Sequence, residues 1–152
     1  MISIKKENKM KKYLKISFIY AICALIGGVF YREFTKFNNF TGVTALGKIH
    51  VHLIVLGAIM FLILALFTKH IEFEKSKLYL PFMITYNFGI GFTVLMFIVR
   101  GIYQVLEINL ANRTNTLIST FAGIGHIALG TGVVLLFIML IKCAKDEKKV
   151  ND

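Results

Sequence analysis

Carboxylates are scarce in this sequence, and its long apolar runs contain none. Asp and Glu together number 8 of 152 residues, against 18 Lys and Arg. The uncharged runs 16–31, 49–68, 78–99 and 114–141 hold no acid that could couple transport to protons or cations, and they show no paired broken-helix pattern, which argues against a small transporter. Cysteine is nearly as rare. Cys23 lies in an apolar segment and Cys143 in a lysine-rich one, with no CxxC pair and no zinc-type spacing, which supports neither a disulfide framework nor a cysteine metal site. No nucleophile–base–acid set and no phosphate loop is present, so hydrolytic chemistry is not expected. Charged residues make up 17% of the chain and hydrophobic ones 57%, with a mean hydropathy of +0.71. Soluble domains average about 25% charged and 45–50% apolar residues. Too little polar surface remains to cover a soluble core, and disorder needs the opposite composition.

What is present is four apolar runs, each near the ~20 residues that cross a ~30 Å hydrocarbon core as a helix. They predict an all-α integral membrane four-helix bundle, with a single transmembrane domain over 1–152 and spans at about 14–32, 48–68, 79–100 and 117–141. The first run follows a lysine-rich head as a signal peptide would. No A-x-A-like cleavage site follows it, so it reads as a retained helix. Pro81, the one proline, falls at the start of the third helix, where its missing N–H is not needed. Phe30, Phe34, Phe37 and Phe40 recur near helical spacing, which extends the first helix past the membrane surface.

Lysine placement sets the expected orientation. Lys5, Lys6, Lys9, Lys11, Lys12 and Lys15 precede the first span, Lys69, Lys75 and Lys77 fall in the middle loop, and Lys142, Lys145, Lys148 and Lys149 follow the last span. The opposite side has Arg32, Lys36, Lys48, Arg100 and Arg113. Both termini are therefore expected in the cytoplasm and the protein in the plasma membrane, as a multi-pass protein. The net charge of +10 then faces anionic headgroups, with no nucleic acid as partner.

Ionisable residues inside spans are the candidate site residues, because lipid penalises them. His50 and His52 on the second helix and His126 on the fourth qualify, while His70 reads as a solvated loop residue. His126 lies 16 residues before Lys142, His52 lies 17 before Lys69, and His50 lies 19 before it. At ~1.5 Å per residue, His126 and His52 differ in depth by about 1.5 Å, and His126 and His50 by about 4.5 Å. His50 and His52 point about 200° apart, so only one can face a ligand shared with His126. Depth favours His52. Neighbours favour His50, which shares its face with Gly47 and Gly57, as His126 does with Ala122, Gly123 and Gly130. The reading leans to His50 and keeps His52 as its alternative. Gly123, Gly125, Gly130 and Gly132 also fit a small-residue packing seam.

Zinc or copper would want more ligands than the spans supply. Haem needs one or two axial imidazoles between apolar walls. The expected cofactor is therefore one haem b, with His126 and His50 (or His52) as axial ligands to its iron. Arg100, with Arg32 and Lys48 as further candidates, would meet its propionates. The expected role is electron transfer, or haem or gas sensing, with a redox partner. The competing reading is a cofactor-free structural or accessory subunit of a larger membrane complex. Four helices bury a narrow core, so a homodimer is compatible with either.

The run Gly47-Lys48-Ile49-His50-Val51-His52-Leu53-Ile54-Val55-Leu56-Gly57 resembles the His-x-His-Leu-x-x-Leu-Gly run of proteins similar to haem-copper oxidase subunit I. There the corresponding helix carries an axial ligand of low-spin haem, which implies that role for His50 or His52. The whole chain is similar to an uncharacterised family of short four-helix bacterial membrane proteins, whose second block is the Gly-Ile-Gly-His-Ile-Ala-Leu-Gly stretch at 123–130. An oxidase core has many more helices and further histidines for copper and a second haem. The resemblance therefore implies at most a single haem b, and no oxygen reduction by this chain alone. The absence of C-x-x-C-H excludes covalent attachment.

Overall fold

The computed structural model describes the backbone of residues 2–151 and the side chains of 7–145. Every apolar run is helical, because in lipid only a helix satisfies all the backbone groups of an open-ended segment. Helix α1 is Ile2–Phe37, α2 is Gly47–Phe67, α3 is Tyr79–Val105 and α4 is Asn112–Asn151. A single 3-10 turn, Phe73–Lys75, interrupts the α2–α3 loop. All four helices are long and apolar enough to cross a membrane, and no strand occurs among the described residues. Side chains such as Phe18, Ile19 and Ile127 are more than half exposed on the outer surface, where a soluble protein would be polar and a multi-pass membrane protein meets lipid.

α1 and α4 run well beyond the apolar spans. Their flanks are rich in lysine, a good helix former whose charge stays solvated. The phenylalanine stripe divides at the end of α1. Phe30 stacks on Phe34 at 5.2 Å, Phe34 and Phe40 pack on the core, and Phe37 is 86% exposed. Pro81 occupies the first turn of α3, as its missing donor requires. Both helix ends facing away from the termini close in the same way. Asn39 and Glu107 take a left-handed φ of 52° and 53°. The Phe40 and Ile108 N–H groups then reach back to the carbonyls of Thr35 and Tyr103. Gln104 Oε1 accepts from the Ala45 N–H at 2.8 Å, and Thr44 Oγ1 donates to the Gly101 carbonyl, tying the start of α2 to the end of α3.

The helices pack in chain order, α1 on α2, α2 on α3, and α3 on α4. No close backbone packing joins α2 to α4 among the described residues. At the α1–α2 seam, a Cβ on Gly27 would sit 2.7 Å from Ile49. Tyr13, Phe61, Phe73, Phe82 and Tyr86 fill the core nearer the termini.

One local feature has no signature in the apolar pattern. α2 widens into a π-helix over Leu53–Ile59, immediately after His52. A π-turn disturbs the i→i+4 ladder, and in lipid the affected carbonyls need other donors. Two are supplied from outside the helix. The Tyr86 hydroxyl donates to the Leu56 carbonyl at 2.7 Å, and the Ser17 hydroxyl to the Ala58 carbonyl at 2.7 Å. Tyr86→Phe removes the donor to Leu56 and is expected to cost about 1–3 kcal/mol. Thermal unfolding of the detergent-solubilised variant measures it, and an unchanged midpoint would show the bond to be dispensable.

At the terminal end, a carboxylate from the α2–α3 loop clamps the start of α1. Glu74 Oε1 accepts from the Tyr13 hydroxyl at 2.7 Å and from Lys12 Nζ at 3.1 Å, and Lys9 Nζ lies 3.5 Å from Oε2. Lys12 also donates to the Tyr79 hydroxyl at 2.7 Å. Burial pushes the Glu74 carboxyl up, but these hydrogen bonds and the lysine charges outweigh it and hold the group below its ordinary value. The resulting stabilisation is complete above the unfolded value of about 4.3 and is lost as pH falls through the lowered folded value. The unfolding temperature should therefore drop on acidification below that range, and Glu74→Gln should flatten that part of the profile. An identical acid limb in the variant would remove Glu74 as its cause.

Candidate functional site

The three span histidines divide between two sides of α2. His50 is half-buried against α1. Its Nδ1 lies 3.0 Å from the Ala24 carbonyl, and the ring covers Gly28. The glycines that share its face belong to the same seam, since Gly57 abuts the Tyr20 ring and Gly47 faces Tyr31. The small residues around His50 thus make room for α1.

His52 points the other way, toward α3, and meets the Phe97 ring edge-on at 4.8 Å between centroids. His126 on α4 meets the same ring at 6.0 Å, also edge-on. The sum of these distances is the upper limit on the separation of the two imidazoles. The structure therefore brings His52 and His126 to one side chain, although their helices do not pack closely on each other.

Both rings are held in the same way. His52 Nδ1 lies 2.9 Å from the Lys48 carbonyl, and His126 Nδ1 lies 2.8 Å from the Ala122 carbonyl. A carbonyl can only accept, so each Nδ1 carries the proton. In the neutral imidazole this leaves the lone pair on Nε2, the state in which histidine ligates a metal. A backbone carbonyl behind the ring is also the usual support of a metal-ligating histidine. Space is open beside His126, where Gly123 and Gly130 have no neighbour that a Cβ would touch. Gly125 and Gly132 instead pack against α3. A Cβ on Gly125 would lie 2.8 Å from Thr93 Oγ1, and one on Gly132 2.7 Å from the Tyr86 backbone.

Above Phe97, away from the termini, lies a cavity of about 180 Å3 between α2, α3 and α4. Lys48, Phe97, Arg100, Gln104 and Ala122 line it. Lys48 Nζ sits 5.8 Å from the centre of the Phe97 ring, and an Arg100 guanidinium N–H donates to Ser119 Oγ at 2.7 Å. Two cations thus stand on the same side of the histidine pair. Small-molecule sites usually enclose about 300–1,000 Å3, so a macrocycle fits here only if the Phe97 ring turns aside. No group of three or more His, Cys, Asp or Glu able to hold a bare metal ion occurs among the described residues.

Phe97 is the candidate site residue that the histidine pattern in the sequence does not reveal. Its signal is slight. It lies one turn before Arg100 and so shares that face of α3, but many apolar residues of α3 have similar spacing.

No curated protein and no solved structure matches the chain. A family model described as "Protein of unknown function (DUF2871)" matches residues 10–143, and the chain belongs to that family.

Proposed function

We propose that this multi-pass membrane protein binds one haem b between α2 and α4, with His52 and His126 as axial ligands. The observation that carries the reading is the shared ring. Two histidines from separate helices meet Phe97, each with Nδ1–H held by a backbone carbonyl and Nε2 left to ligate. The remaining donor set agrees. Lys48 and Arg100 line the cavity beside Phe97 and would hold the propionates, and Gly123 and Gly130 leave the flank of His126 open. The resemblance of the His-x-His run to a haem-ligand helix points the same way. Bound haem would supply a one-electron iron couple and, if one ligand leaves, a position for a diatomic gas. The role is electron transfer or sensing, in a plasma membrane protein whose lysine-rich end faces the cytoplasm.

The test is the visible spectrum of the detergent-purified protein from haem-supplied cells, oxidised and then dithionite-reduced. A Soret band with sharp reduced α and β bands is the expected result. A colourless protein after haem reconstitution would overturn the proposal and leave the cofactor-free accessory subunit.

A further inference from the structure

We propose that the lysine-rich end carries a binding site for the phosphate of an anionic membrane lipid, formed by Lys77 and Lys142. These two side chains line a cavity of about 550 Å3 between the α2–α3 loop and α4, together with Glu72, Lys75, Ser76 and Leu78. Within that lining, charge is unevenly matched. Lys75 pairs with Glu72, which neutralises both. Lys77 and Lys142 have no carboxylate within ion-pair distance among the described residues. Two like charges facing one cavity repel, and an anion between them converts that repulsion into two charge-assisted hydrogen bonds. Ser76 adds a donor. Its Oγ accepts from the Leu78 N–H at 3.3 Å, so its own proton is available to an oxyanion.

Position selects the source of the phosphate. Leu78 precedes α3, and Lys142 closes the apolar stretch of α4, so the cavity lies at headgroup depth. Leu80, two residues beyond Leu78 on α3, and Ile141, next to Lys142 on α4, are 64% and 54% exposed and offer apolar surface to acyl chains. A soluble phosphate would use the cations and leave that surface unused. A lipid uses both, as basic pockets between membrane helices do.

Thermal unfolding of the full-length protein in neutral detergent tests this, with phosphatidylglycerol or phosphatidylcholine added. Phosphatidylglycerol should raise the unfolding temperature, and phosphatidylcholine should not. Lys77→Ala/Lys142→Ala should lose most of the shift. Lys11→Ala/Lys15→Ala, with equal charge removed at the same end, should keep it. Lys77→Arg/Lys142→Arg should also keep it, and native mass spectrometry should count the retained phosphatidylglycerol in each variant. An equal loss in both alanine pairs would mean diffuse surface charge and overturn the site. The same shift from inorganic phosphate alone would overturn the lipid as its occupant.

Discussion

His52→Ala and His126→Ala are each expected to abolish the Soret band of the haem-loaded protein, while His50→Ala keeps it. Losing a ligand should weaken haem retention by more than the ~10–100-fold that changes behind a ligand produce. His50→Ala instead removes the contact with the Ala24 carbonyl, at a cost of about 1 kcal/mol in stability. Phe97→Ala should retain haem or take it up faster, because that ring packs against both imidazoles. Pyridine haemochrome content per protein, measured across the four variants, decides the matter. Haem lost from His50→Ala but kept in His52→Ala would move the ligand to the α1 side of α2. Full haem content in all three histidine variants would remove the axial assignment altogether.

The second large effect is expected at the α3–α4 seam. A Cβ at Gly89 would collide with the Leu129 backbone, and one at Gly132 would lie 2.7 Å from the Tyr86 backbone. Backbone cannot turn aside as a side chain can, so the helices must separate. Gly89→Ala and Gly132→Ala should each destabilise by about 1–3 kcal/mol or more. Gly123→Ala and Gly130→Ala meet open space and should be neutral, or slightly stabilising through helix propensity. Unfolding midpoints in one detergent compare the four directly. Equal losses at all four would show that the faces of α4 are not divided as described.

Much of the architecture was legible without coordinates. Run length and the absence of charge are local properties, and they mark out four helices long and apolar enough to cross a membrane. The extension of α1 through Phe37 was legible too, from the recurrence of Phe30, Phe34 and Phe37. The π-turn after His52 was not, since its carbonyls are satisfied by Tyr86 and Ser17, residues far away in sequence. Nor was the clamp at Glu74, which joins the α2–α3 loop to Tyr13 and Lys12 on α1.

The candidate site shows where the boundary lies. Depth along a regular α-helix follows from residue count, at ~1.5 Å per residue, and the π-turn of α2 shortens that ruler between His52 and Lys69. The sequence by itself therefore pointed, by depth, to His52 and His126 as a pair, and determined that His50 and His52 face different neighbours. It also determined that four helices bring both termini to one end. Which side of α2 meets which neighbour depends on contacts between distant segments. Gly47 and Gly57 look like room for a ligand in sequence, and in three dimensions they admit Tyr31 and Tyr20 of α1. Only the tertiary structure turned His50 toward Ala24, brought His52 and His126 to the Phe97 ring, and divided the glycines of α4 into Gly125 and Gly132 within the seam and Gly123 and Gly130 outside it. The physical reason is that periodicity defines a helical face, whereas the partner of that face is chosen by packing across the whole fold.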